Sequence, residues 1–133
     1  MKEPTEYDEQ VEFIEYLALM EKQKKIVTFF AVNNENNSHR QNRKYAIIAE
    51  VKAKKTGKKK GVSDICVILK NKVVFIEMKR QPRVLKDGTF SKSKAQPTLE
   101  QKQFLLDISN SDVCVGSVCW GSREAIQFLE QFL

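Results

Sequence analysis

The sequence predicts an α/β fold, a mixed β-sheet flanked by helices in the order α-β-(α)-β-β-α-β-α. Three observations predict it. Runs of β-branched and aromatic residues recur at strand length, at 26–33, 64–70, 72–79 and 113–120. Stretches with helical apolar spacing alternate with them. Two of the runs are separated only by Lys70-Asn71, which suits a tight hairpin. At 133 residues and 41% apolar composition, the chain fits one domain, 1–133, with a real core.

The first helix is expected over 6–21. Val11, Ile14, Leu17 and Ala18 recur at helical spacing, and Thr5 can cap the start. Residues 26–33 read as a strand and 34–41 as a polar loop. A basic helix follows over 42–56, favoured by Ala46, Ala49 and Ala53, with Gly57 placed to cap its end. The two hairpin strands come next. Residues 80–98 hold two prolines and many polar groups, so they read as a loop. A helix is expected over 99–109, a buried strand over 113–120, and a last helix capped by Ser122 with Ile126, Leu129 and Leu133 on one stripe.

Composition narrows the function. No run is long and apolar enough to span a membrane, and the polar, acidic start MKEPTEYDEQ does not read as a secretory signal, so an intracellular protein is expected. Cys66, Cys114 and Cys119 lie in apolar runs without metal-ligand spacing, which argues against a disulfide framework and a zinc site. Net charge is +6, distributed unevenly. Residues 1–21 carry Glu3, Glu6, Asp8, Glu9, Glu12, Glu15 and Glu21 against one lysine. Residues 40–60 carry Arg40, Arg43, Lys44, Lys52, Lys54, Lys55, Lys58, Lys59 and Lys60 against Glu50 alone.

The hairpin gathers the chemistry. If Lys70-Asn71 is a two-residue turn, Leu69 faces Lys72, and counting outward brings Asp64 opposite Glu77. A turn shifted by one residue brings Asp64 opposite Lys79 instead. Strand alternation puts Val73, Phe75, Glu77 and Lys79 on one face. Two carboxylates and a lysine therefore converge at the end of an apolar hairpin. Adjacent, partly buried carboxylates repel, and a divalent cation removes the conflict. Oxygen ligands suit Mg2+ or Mn2+, which can polarise a phosphoryl oxygen and acidify a water. Lys79 would stabilise developing charge or orient the attacking water.

Gly61-Val62-Ser63-Asp64 followed by Ile76-Glu77-Met78-Lys79 resembles the VRR-NUC branch of the PD-(D/E)xK nuclease superfamily, where a G-x-P-D motif opens one strand and an E-x-K motif closes the next. Ser63 stands where that motif has proline. The resemblance implies a restriction-endonuclease-like fold, Asp64, Glu77 and the Met78 carbonyl as metal ligands, and Lys79 as the catalytic lysine. It matches Gln101 to a downstream glutamine and Glu12 to an N-terminal acid. Leu105 and Ile108 share a helical face with Gln101, which independently turns that amide inward.

Lys52, Lys54, Lys55, Lys58, Lys59 and Lys60 lead into Asp64, and Arg80, Arg83, Lys86, Lys92 and Lys94 follow Lys79. Both segments are expected to contact DNA phosphates. GxxxxGK[ST] is absent, so no nucleotide cofactor is expected. Similarity to stand-alone junction resolvases implies branched DNA as substrate and a homodimer, with candidate surfaces at Phe29-Phe30 and Phe128–Leu133. The rival reading is a non-catalytic basic protein that binds nucleic acid and keeps the fold.

Overall fold

A computed structural model describes residues 3–32, 43–82, 84–89 and 95–133, which form four helices and one four-stranded sheet. Strands β1 (Thr28–Ala31), β2 (Ile65–Ile68), β3 (Val73–Lys79) and β4 (Cys114–Trp120) lie in sequence order. The first two pairings are antiparallel and the last is parallel.

The hairpin has the two-residue register. Ile65 faces Ile76, Ile68 faces Val73, and the Leu69 amide donates to the Lys72 carbonyl at 2.8 Å. β1 is shorter than the run 26–33, but its pairing extends one residue each way. Val27 N–H donates to Ile68 at 2.9 Å and Val32 N–H to Asp64 at 2.7 Å.

Helix α1 (Glu6–Lys22) starts where expected. Thr5 accepts from the Asp8 amide at 3.1 Å, and the Asp8 carboxylate accepts from the Thr5 amide at 2.9 Å. Its buried face differs from the expected stripe: Glu9, Phe13, Leu17 and Met20 are buried, while Val11 and Ala18 are exposed. Phe13 and Met20 carry more apolar surface than Val11 and Ala18, so turning them inward removes more area from water.

Helix α2 (Arg43–Lys55) ends at a left-handed Gly57, φ 98°. Lys58 N–H reaches the Ala53 carbonyl at 2.9 Å and Gly57 N–H the Lys54 carbonyl at 3.1 Å, the Schellman arrangement. None of its residues is buried.

The parallel β3–β4 pair needs a crossover, which helix α3 (Leu99–Ile108) supplies. It covers one sheet face, with Phe104 edge-on to Phe75 at 5.1 Å between ring centroids. Helices α1 and α4 (Ser122–Glu130) cover the other, closing the core of Phe13, Leu17, Val74, Ile76, Met78 and Leu129. Ser122 is the first helical residue rather than the cap. Gly121 holds the cap position, and Glu9 of α1 accepts the Ser122 N–H at 2.6 Å. Leu133, expected on the inner stripe, is exposed, because the helix ends at Glu130. All three thiols are free, Cys66 and Cys119 buried and Cys114 half-buried. No described helix is long and apolar enough to cross a membrane.

Candidate active site

The register that pairs Ile65 with Ile76 brings Asp64 and Glu77 together at the open end of the hairpin. Asp64 does not simply extend the ladder. Its Oδ2 accepts the Met78 N–H at 2.8 Å, which pins the carboxylate against β3.

Glu77 is 2% exposed. Its Oε1 accepts from Gln101 Nε2 at 2.7 Å and lies 3.6 Å from Lys79 Nζ. Its Oε2 is buried with no hydrogen-bond partner. Burial and the Asp64 charge push the Glu77 carboxyl up to about 8, against the pull of Lys79. Asp64 is also raised, by burial, against its bond from Met78, a hydrogen bond with the Glu77 carboxyl and the charge of Lys79. Near neutral pH the pair therefore retains a proton unless a cation takes its place.

Gln101 links the site to α3. It is the third residue of a capping box: Thr98 Oγ1 accepts its amide at 3.1 Å, and its Oε1 accepts the Thr98 amide at 2.8 Å. That leaves Nε2 for Glu77. Glutamate could close the same box but would bring an oxygen, not a donor, to Glu77. Gly61 lets this helix start approach. Its φ is 87°, and a Cβ there would collide with the Glu100 carbonyl and the Gln101 nitrogen.

Among the described residues, no group of three or more His, Cys, Asp and Glu side chains could hold a metal. The protein's share would be two carboxylates, one with an unsatisfied buried oxygen. That set fits an ion such as Mg2+ or Mn2+, which keeps most of its waters, and not a closed zinc site. The Met78 side chain is in the core and its N–H is committed to Asp64.

Asp64, Glu77, Lys79 and Gln101 thus come together. Glu12 does not join them: it is exposed and accepts from Ser122 Oγ at 2.9 Å. The inward position belongs to Glu9, whose oxygens take Gln81 Nε2 at 2.9 Å and the Ser122 amide. The α1 acid that senses the site is Glu6, which the sequence did not single out. Partial burial and the charge of Asp64 raise its carboxyl, while Lys79 lowers it. It lies seven residues before the buried Phe13, on the same helical face, and that spacing was a usable signal.

A cleft of about 580 Å³ opens beside Asp64 and Gln101. Ala49 and Ala53 of α2 form one wall and the start of α3 the other, with Lys54, Lys58, Lys59 and Lys60 along it. Lys60 is paired with Glu50 at 2.5 Å. Lys52 and Lys55 are exposed on α2 but do not line the cleft. Arg80 is engaged by Glu3 at 3.4 Å. Arg83, Lys92 and Lys94 lie outside the described residues. No family model, curated protein or solved structure matches the chain.

Proposed function

We propose that the chain is a metal-dependent endonuclease of PD-(D/E)xK type, with a restriction-endonuclease-like fold, acting on branched DNA such as flaps and four-way junctions. One observation carries the reading. Two carboxylates are forced together beside the cleft, the buried one with an oxygen left unsatisfied, and a lysine stands next to it. A purely binding protein gains nothing from buried acids next to phosphate.

Asp64 and Glu77 would hold Mg2+ or Mn2+, with the Met78 carbonyl as a further ligand. Such an ion supplies Lewis-acid charge at the phosphate. Gln101 fixes the orientation of Glu77, and the Met78 N–H fixes Asp64. Lys79 stabilises the charge that builds on the phosphoryl oxygens as water adds to phosphorus and one P–O ester bond breaks. The lysines of the cleft hold neighbouring phosphates.

The test is incubation of the purified protein with Mg2+ or Mn2+ and linear, flapped and four-way DNA. Cleavage is expected, falling about 100-fold or more in Lys79→Ala and Glu77→Gln. DNA that is bound but never cut with either ion would overturn the enzyme reading in favour of a binding protein.

A further inference from the structure

Helix α1 ends in the same Schellman arrangement as α2, with one difference. Lys24 N–H reaches the Glu21 carbonyl at 3.0 Å and Lys25 N–H the Met20 carbonyl at 2.9 Å. At α2 the left-handed position is filled by Gly57, but at α1 it is filled by Lys24, φ 60°. Among the described residues, Lys24 is the one non-glycine residue with positive φ. A Cβ is strained there, and glycine would relieve the strain. Strain held at one defined position points to a use for the side chain that causes it.

Lys24 lines a pocket at the turn end of the hairpin, away from the cleft. The pocket holds about 300 Å³ and gathers four lysines, Lys24, Lys25, Lys70 and Lys72, with no acidic side chain in its lining. The α1–β1 connection supplies one pair and the hairpin turn the other, tied together where Val27 N–H donates to the Ile68 carbonyl at 2.9 Å. Lys24, Lys25 and Lys70 are exposed, whereas Ile26, Leu69 and Phe132 are buried or half-buried and form the floor. Lys72 Nζ lies 5.9 Å from the centre of the Phe132 ring, which holds the ammonium over that floor. Among the described residues, none of the four is in an ion pair. Glu21 accepts instead from Thr28 Oγ1 at 3.0 Å, and Glu130 from the Tyr16 hydroxyl at 3.5 Å. Like charges gathered in one concavity repel each other, and a polyanion removes that repulsion.

We propose that this pocket is a second phosphate site, which takes the backbone of nucleic acid lying outside the cleft. Its ligand is a connected array of phosphates: a lysine ammonium acts as a point charge, and contacts linked along one polymer reinforce each other. Lys72 and Lys79 flank the length of β3, about 23 Å apart at the rise of a strand. A duplex shorter than about 7 base pairs therefore cannot span both sites, at roughly 3.4 Å per pair. A bilayer is a poorer occupant, because insertion needs apolar side chains beyond the cations, and here the cations form the rim. The inference rests on the nucleic-acid part of the proposed function and not on cleavage.

The test uses the full chain in EDTA, where metal-dependent cleavage cannot intervene, and a duplex several times longer than the span between the sites. Lys24→Gly/Lys70→Gln is expected to reduce the slope of log affinity against log salt by up to about 1.8, at about 0.9 per lost contact. Lys24→Gly alone should raise the denaturant midpoint, because it removes the left-handed strain, so its weaker binding is not a loss of fold. In nitrogen–proton NMR spectra of the parent chain, the duplex should shift the backbone amides of Lys25, Lys70 and Lys72. An unchanged slope in the double variant overturns the inference, and so does a slope that falls while those amides stay still. Lys58→Ala/Lys59→Ala, measured beside it, separates the two sites. Loss confined to that pair keeps the cleft and removes the pocket, whereas loss confined to Lys24→Gly/Lys70→Gln keeps the pocket and removes the cleft. Pyrophosphate or phosphatidylglycerol vesicles that move the three amides when the duplex does not would assign the pocket to free phosphate or to lipid, and overturn the nucleic-acid assignment.

Discussion

Glu77 carries the electrostatic tension of the fold, and the tension has a sign. Its carboxyl moves from an ordinary 4.5 to about 8, so between those values the folded chain holds a proton that the unfolded chain releases. Stability from this group is complete below pH 4.5 and is lost as pH rises toward 8. The raised carboxyl of Asp64 acts in the same direction. Calorimetry without metal, from pH 5 to 9, should therefore show a steeper fall in Tm for the parent chain than for Glu77→Gln. Added Mn2+ should raise the parent's Tm most at pH 8 and above, where it no longer competes with the proton. Equal slopes for the two chains would remove the buried-acid account. Gln101 permits a finer separation. Gln101→Glu keeps the capping box but withdraws the donor from Glu77, whereas Gln101→Ala removes both. Metal affinity, read by titration calorimetry, should fall about 10–100-fold in both. Only the alanine variant should also lose the bond that the Thr98 amide donates to the side chain of residue 101, about 0.5–1.5 kcal/mol.

At the scale of elements, Gly61 decides whether α3 can approach the hairpin at all. Gly57 and Gly61 both have positive φ, but a Cβ at Gly57 meets nothing within 4 Å, while one at Gly61 meets the backbone of Glu100 and Gln101. Gly57→Ala should cost only the left-handed strain, about 1–2 kcal/mol. Gly61→Ala should cost more, because α3 must also move, and cleavage should fall with it. Denaturant midpoints and the cleavage assay, run on both variants, check this; equal losses at the two glycines would contradict the close approach. The contrast also shows what the sequence could reveal. The hairpin register was legible to within two alternatives, because two turn residues between alternating strands allow few pairings, and the structure takes the one that sets Ile65 opposite Ile76. Gly57 was legible as a helix cap for the same local reason. Long-range facts were not. Nothing near Ser122 announces that Glu9, 113 positions away, will cap its helix. The buried face of α1 followed the larger side chains Phe13 and Met20, and the α1 acid that feels the charges of Asp64 and Lys79 is Glu6, while Glu12 pairs with Ser122. The surfaces expected for a partner were largely core: Phe29, Phe128 and Phe132 pack against the buried cluster, leaving Phe30 and Leu133 half exposed.

For the whole molecule, the fold divides a basic run that looks continuous in sequence. Net charge of +6 predicts attraction to a polyanion but not where it lies. In three dimensions Lys54, Lys58, Lys59 and Lys60 line the cleft beside Asp64, while Lys52 and Lys55 stand away from it. Arg80 and Lys60 already have acidic partners, Glu3 and Glu50. The division predicts unequal effects on DNA binding measured without cleavage, in the Asp64→Asn background. Removing one lysine that neutralises a phosphate should reduce the slope of log affinity against log salt by about 0.9 on duplex and about 0.7 on single strands. Lys58→Ala/Lys59→Ala should therefore flatten the slope by up to about twice that amount. Lys52→Ala/Lys55→Ala removes the same charge from the chain and should leave the slope nearly unchanged. Fluorescence anisotropy from 50 to 400 mM salt, roughly the range over which counterion release dominates, separates the cases. Identical slopes for the two double variants would mean that the nucleic acid responds to total charge rather than to the cleft, and would overturn the proposal that the cleft binds the strand.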